Sequence, residues 1–245
     1  MNKLLILYKT EKQNNNEFGK IYELTTLYAN KFNNIDSYFI VSDNTIEENY
    51  KIDNKIIYIK TINNNWESIL IKVIVSFQLF INSEYTHILV TNISTFINIP
   101  LIYTKLNDSD CLSHKGNYTF NTINYCFPSG AGYIFSINLV KTICKFFNDH
   151  LFINNNILSN NFITHYPTTD DIFFGYYFYL NKIIINELPR YDIIKNSINT
   201  INTINTITNN LNYSYYRIKT SHNNNNNNSD NDYTIHLDLY TKIYK

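Results

Sequence analysis

Apolar positions in this chain come in short dense runs separated by polar, Asn-rich stretches. The run KLLILY (3–8) predicts a buried strand. From Phe18 to Phe32 the apolar residues Ile21, Leu24, Leu27 and Tyr28 fall near helical spacing. DSYFIVS (36–42) and KIIYIK (55–60) predict further strands. Trp66 to Ile81 predicts a buried helix, with Ile69, Leu70, Val73, Ile74 and Phe77 at i, i+1, i+4, i+5 and i+8. THILVT (86–91) predicts the next strand. This alternation predicts an α/β, Rossmann-like fold: a mostly parallel central sheet with helices on both faces. Ligands of such sheets bind beyond the carboxyl ends of the strands. Residues 91–98, in HILVTNISTFINIP (87–100), are therefore the expected site.

The second half changes character. YCFPSGAGYIFS (125–136) reads as a tight backbone passage into a strand, or as a plain loop before one, and leads into a helical run over 137–147. TTDDIFFGYYFYLNKIIINE (168–187) predicts a helix and then a strand. Thr168 or Thr169 can cap that helix, and Asp170 and Asp171 sit in its first turn, where the helix dipole favours negative charge. INTINTINTIT (198–208) and NNNNNN (223–228) read as low-complexity expansions. YTIHLDLYTKIYK (233–245) predicts a closing helix. The expected organisation is one domain over 1–245, with low-complexity loops near 198–210 and 222–231.

The 245 residues suit one α/β domain with a full core. Net charge is +0 and only 16% of residues are charged, which leaves no electrostatic footprint for nucleic acid. The first apolar stretch, Leu4 to Tyr8, is too short for a signal or a membrane span, which needs about 20 residues. The expectation is a cytoplasmic protein without a membrane segment. Three cysteines, at 111, 126 and 144, have no metal-type spacing, and their odd number argues against a disulfide framework. The abundance of Asn, Ile, Lys and Tyr is what AT-rich codons produce, as in some viral genomes, so an Asn-rich loop says little about function.

Candidate chemistry is sparse. Three of the five glycines, Gly130, Gly132 and Gly175, fall in two short stretches of the second half. Glycine is needed where backbone bends sharply or approaches a ligand closely. Asp170 and Asp171 are adjacent, so on a helix they point about 100° apart; one can line the helix start while the other projects into a cleft. A carboxylate so placed can act as a general base. The chain has two arginines, Arg190 and Arg217. In YYRIKTSH (215–222), Arg217 and Lys219 fall on one side of an extended segment, either as a cationic site or as a solvated edge strand. Trp66 is expected in the core rather than as a stacking platform. The histidines show no metal spacing, and only His165 and His222 lie near candidate site segments.

Taken in order, WESILIK (66–72), TNISTFIN (91–98), YCFPSGAGYIFS and DDIFFG (170–175) resemble the β1,3-galactosyltransferase and Fringe-like glycosyltransferases of GT-A fold, over roughly residues 55–185. The resemblance implies a hexosyltransferase that moves a sugar from a nucleotide-sugar donor, most simply a UDP-sugar, to a hydroxyl of a glycan or other acceptor, with inversion. It implies Asp171 as catalytic base, with Asp170 standing where the family has Glu. Lys72, Thr91, Asn92 and Ser94 would contact the donor. Ser129, Gly130, Ala131 and Gly132 would line the sugar and acceptor pocket. Phe96 and Asn98 match the residues after the family's metal motif. That motif, Asp-x-Asp, is replaced here by Asn92-Ile93-Ser94, similar to a Thr-Asn-Leu-Ser-Ser-Phe variant of microbial and viral transferase-like sequences. Without carboxylates a divalent cation loses its anionic oxygen ligands. Mn2+ or Mg2+ therefore stays open and no metal site is assigned, His222 being a weak candidate ligand. Arg217 and Lys219, with His222, would take the metal's place on the diphosphate. The rival reading is a catalytically silent nucleotide- or carbohydrate-binding relative.

Overall fold

The computed structural model describes residues 2–10, 16–61, 66–106, 109–194, 211–219 and 229–245. An eight-stranded sheet forms its centre. In chain order its strands are β1 (Leu4–Lys9), β2 (Ile35–Ser42), β3 (Tyr50–Asp53), β4 (Ile56–Ile59), β5 (His87–Asn92), β7 (Cys111–Phe120), β8 (Ile123–Ser136) and β11 (Ile185–Glu187). Their spatial order is β11-β7-β8-β5-β1-β2-β4-β3. The pairs β5–β1, β1–β2, β2–β4 and β7–β11 are parallel, while β8 runs antiparallel to both its neighbours and β3 to β4. The mixed α/β sheet flanked by helices agrees with the expected fold class.

The unbroken apolar run of β1 has a simple cause. Side chains alternate across a strand, so a strand covered on both faces is apolar at every position. Leu5 and Leu7 join one core with Phe77 of α2 (Trp66–Phe80), Val140 of α4 (Ile137–Asp149) and Phe174 of α6 (Asp170–Asn181). Leu4, Ile6 and Tyr8 join the other, with Leu24 of α1 (Asn16–Ala29) and Leu239 of α7 (Ser229–Tyr244). The predicted closing helix is thus α7. It is fastened by Tyr244, whose hydroxyl donates to Ile97 O (2.7 Å) and accepts from Ile99 N (2.9 Å), and whose ring stacks on Tyr28 at 5.1 Å.

A three-stranded sheet, β12 (Arg190–Ile194), β13 (Tyr215–Lys219) and β6 (Thr95–Ile97), lies on the second core. Its central strand is β13, flanked on both sides over Tyr215–Arg217, so the edge-strand alternative does not hold for Arg217. The remaining elements are α3 (Ile99–Lys105), α5 (Asn160–His165) and the two-residue strands β9 (Ile153–Asn154) and β10 (Ile157–Leu158). Asn98 caps α3, its side chain accepting from Leu101 N at 3.2 Å. Phe96 packs in the core against Tyr28, Tyr216 and Tyr244. Among the described residues no helix is long and apolar enough to cross a membrane.

Two local expectations are corrected. The stretch 125–136 is not a loop into a strand but the body of β8, which begins at Ile123 and pairs with β7 as a long hairpin. Both loop residues, Asn121 and Thr122, have positive φ (46° and 66°), as a two-residue hairpin turn requires. Trp66, expected in the core, is 66% exposed. It opens α2 at the helix end nearest the strand tips, outside the stripe of Leu70, Val73, Ile74 and Phe77 that carries the burial. The low-complexity segments at 198–210 and 222–228 lie outside the described residues, as does His222; the backbone from 229 onward belongs to α7.

Candidate functional site

Two strand tips and the middle of a third strand meet at one place. Lys9 ends β1 and Asn92 ends β5, side by side in register. Beside them runs β8, with Thr91 opposite Gly132. The Gly130 peptide of β8 is gripped from two sides. Its carbonyl accepts from Asn92 Nδ2 at 2.7 Å, and its N–H donates to Asp171 Oδ2 at 3.1 Å. A Cβ at residue 130 would stand 2.8 Å from that carboxylate oxygen, so only glycine lets the carboxylate seat here.

The first bond gives Asn92 a physical reason. Facing a carbonyl, the side chain must donate. An amide can; an ionised carboxylate only accepts and would be repelled.

The adjacent aspartates divide as helix geometry demands. Asp170 points inward. Its Oδ2 accepts from Lys9 Nζ at 2.6 Å and from Tyr133 OH at 2.8 Å, all three side chains being buried. Asp171 points to the cavity, with Oδ1 accepting from Ile172 N at 2.9 Å. Burial, then the neighbouring Asp170 charge, push the Asp171 carboxyl up to about 6; Lys9 and the two backbone N–H groups pull the other way. Thr169 occupies the predicted N-cap position, but its hydroxyl makes no capping bond.

A cavity of about 700 Å³ opens over these tips. Lys9, Lys115, Arg190 and Arg217 line it against one carboxylate, Asp171. Part of that positive charge is answered from behind. Asp192 of β12 holds Arg217 through Nε at 3.0 Å and Nη2 at 2.6 Å, and Arg190 through Nε at 2.9 Å. Arg190 Nη1 also donates to Ser129 Oγ, which accepts from Ala131 N at 3.3 Å. The pair of arginines is therefore pre-positioned by the Asp192 carboxylate between them.

Of the residues expected at the site, Asn92, Ser94, Ser129, Gly130, Ala131, Asp171 and Arg217 line this cavity. Several others do not. Thr91 is fully buried, its hydroxyl donating to Ala131 O at 2.5 Å. Lys72 is buried in α2, with Nζ 3.5 Å from Thr10 O. Gly132 lies against the Tyr215 ring, where a Cβ would come within 2.4 Å of it. Asp170 faces Lys9 rather than the cavity. Lys72, Thr91 and Gly132, expected to contact ligand, are buried and lie outside the cavity lining. Phe96 and Asn98 serve packing and capping. His165 is exposed on α5 and bonds Asn161 O at 2.8 Å, away from the cavity lining. The side chain of Lys219 lies outside the described residues.

Sequence reasoning missed Lys9, Lys115, Phe127 and Arg190 as lining residues, and misplaced Trp66. Two had a usable signal. Lys9 closes a strand of the parallel centre, where ligands gather. Arg190 is one of only two arginines. Among the described residues, no group of three or more His, Cys, Asp or Glu side chains could hold a metal ion.

No protein-family profile and no curated protein sequence matches the chain. Solved structures do match. A glycosyltransferase involved in the glycosylation of the major capsid of PBCV-1 is 9% identical, with TM-score 0.51, over 96% of this chain and 99% of that one. The galactosyltransferase LgtC, in complex with donor and acceptor sugar analogues, is 10% identical, with TM-score 0.50, over 96% of each. The apo form of the glycosyltransferase GlyE of Streptococcus pneumoniae TIGR4 is 9% identical, with TM-score 0.51, over 99% of this chain and 62% of that one. At such identities the likeness is one of fold, and the fold is that of GT-A-type glycosyltransferases.

Proposed function

We propose that the protein is an inverting glycosyltransferase that takes a nucleotide-sugar into the cavity over Lys9, Asn92 and Gly130. The single observation that carries the reading is the seating of Asp171: one carboxylate lining a cationic cavity, fixed by the Gly130 N–H, with its pKa raised to about 6. A base of that strength is ionised at neutral pH yet still takes a proton. Asp171 removes the proton of the acceptor hydroxyl. The acceptor oxygen then bonds to the anomeric carbon as the bond from that carbon to the diphosphate oxygen breaks. Arg190 and Arg217 meet the charge that develops on the leaving diphosphate. The fold likeness to glycosyltransferases supports sugar transfer in general; a UDP-hexose donor and inversion are our readings.

The donor set does not fit a divalent cation of the Asp-x-Asp kind. Such an ion seeks anionic oxygens, and the site offers Asn92, Ser94 and an Asp171 already held by two backbone N–H groups. No step is therefore routed through a metal. One observation favours the silent-relative reading: the strand tip that would carry Asp-x-Asp holds no carboxylate, and Asn92 is spent on the Gly130 carbonyl.

Titration calorimetry with UDP, in Mn2+ and in EDTA, together with donor turnover by Asp171→Asn, separates the two. The enzyme reading expects binding that EDTA leaves unchanged, turnover in the wild type, an inverted anomer in the product, and turnover lost in the variant. Binding without turnover of any nucleotide-sugar would leave the silent relative. A product of retained configuration would remove Asp171 from the base role.

A further inference from the structure

We infer that the acceptor is a pyranose sugar and that Phe127 is the surface on which it lies. The inference deepens the transferase reading and rests on it.

Phe127 is held from two sides. Directly opposite it in register is Gly116 of β7. A Cβ at residue 116 would stand 2.3 Å from the Phe127 Cζ, 2.5 Å from Cε1 and 3.0 Å from Cε2, so the Cζ end of the ring rests where a side chain at 116 would be, and glycine leaves it that space. From behind, Gly175 of α6 presses on the Phe127 backbone. A Cβ there would reach Phe127 Cβ at 2.4 Å and Cα at 2.7 Å. Gly175 is four residues after Asp171, hence on the same face of α6 and one turn along, about 6 Å. That face meets β8 twice: Asp171 at Gly130, and Gly175 at Phe127. The ring and the carboxylate are thus set by the same helix against the same strand, three residues apart.

The ring does not fill a core. Phe127 is partly exposed and lines the cavity together with Lys115, Asp171 and Arg190. An apolar plane among polar groups is complementary to a ligand with one apolar face and a polar rim. A pyranose has that shape, its axial C–H bonds on one face and its hydroxyls around the edge. A nucleobase is the competing flat ligand, and the cavity has a second aromatic wall for it. Trp66, 66% exposed, lines the same cavity from the start of α2, the helix that follows β4. The order β8-β5-β1-β2-β4 puts these two walls on opposite sides of the Asn92 tip. Phe127 is on the side of the base, where the reacting hydroxyl must be.

The chain's single tryptophan makes the test direct, since Trp66 fluorescence reports cavity occupancy. The probes are UDP, a panel of methyl pyranosides and oligosaccharides, a linear polyol such as sorbitol, and a Ser/Thr peptide. UDP occupancy is followed by fluorescence, and pyranoside affinity and ring contact by saturation-transfer NMR titration with irradiation of the aromatic protons. Pyranosides are expected to bind, with transfer to their C–H protons, and the polyol and peptide are not. Phe127→Leu, apolar but not flat, is expected to weaken the best pyranoside at least tenfold, while Phe127→Tyr keeps it within about threefold. If the leucine variant does not fold, Gly116→Ala displaces the ring without deleting it and carries the same expected loss. Unchanged pyranoside affinity in Phe127→Leu, or polyol and peptide binding as tight as the sugars, overturns the inference. Absence of UDP binding alongside Phe127-dependent sugar binding would strike the transferase reading and leave the sugar platform standing.

Discussion

Asp171 carries two opposed demands. A base for a sugar hydroxyl needs a raised pKa, and burial next to Asp170 supplies it, at a cost to the fold. Its folded pKa, about 6, lies above the ordinary 3.8. Its contribution to stability is therefore full below about pH 4 and is lost as pH rises through about 6. At pH 7.5 the ionised carboxylate is a strained guest. Asp171→Asn relieves the buried charge but turns its amide nitrogen toward one of the two backbone N–H groups, so it is expected to abolish turnover while shifting Tm by less than about 3 °C, by donor assay and scanning calorimetry. In the wild type, kcat/KM is expected to climb about tenfold per pH unit below 6 and to level above it; a flat profile from pH 5 to 8 would count against this base. Asn92 gives a second prediction. Asn92→Asp restores a carboxylate to the motif but aims it at the Gly130 carbonyl. The expected outcome is a loss of about 1–3 kcal/mol in urea unfolding, with no gain of Mn2+ dependence. A metal-dependent, undiminished variant would refute the role given to this amide.

At the scale of elements, β1, β8 and α6 are clasped by Lys9, Tyr133 and Asp170. Lys9 and Asp170 side chains are 7% and 4% exposed, and the Lys9 ammonium also lies 5.5 Å from the Tyr133 ring centroid. Removing one partner of such a pair strands the other charge. Lys9→Met is expected to cost about 3–5 kcal/mol in denaturant unfolding; a change under 1 kcal/mol would mean that the clasp does not hold the tips. Helix α7 shows the reverse case. His236 is fully buried, neither ring nitrogen has a hydrogen-bond partner among the described residues, and burial pulls its pKa down to about 3. A depressed base contributes stability above its ordinary value of 6.5 and loses it as pH falls toward 3. His236→Phe, beside the Phe96 ring at 5.8 Å, is expected to stabilise by about 1–3 kcal/mol at pH 5 and less at pH 8. Equal effects at both pH values would show that protonation is not the cause. Periodicity made α2, α6 and the buried strands readable. It could not reveal the β7–β8 hairpin, because 113–124 is mostly polar and its pairing depends on a partner strand rather than on a buried face.

For the whole molecule, charge placement matters more than charge total. Net charge is +0, yet four basic side chains converge on one cavity from β1, β7, β12 and β13. Arg217→Ala is expected to weaken UDP binding tenfold to hundredfold by calorimetry, the worth of one charge-assisted contact at about 1.5–3 kcal/mol. Affinity within twofold of wild type would remove Arg217 from the diphosphate site. The motif reading already held Arg217 and Asp171, since each follows from local pattern. Arg190 and Lys9 carried a signal too, rarity and a strand end, but only the assembled sheets put them at the cavity.

Local sequence alone determined the buried central strands β1, β2, β4 and β5, the helices α2 and α6, and that two aspartates start one helix. Those features follow from periods of 2 and 3.6 residues, read within a dozen positions. The tertiary structure decided which aspartate meets the cavity, why residue 92 is an amide, and that the tryptophan stands in the open. Each depends on a partner 38, 41 or 161 positions away, or on where a helix end falls relative to the strand tips. Strand order, a property of the folded sheet, sets those meetings.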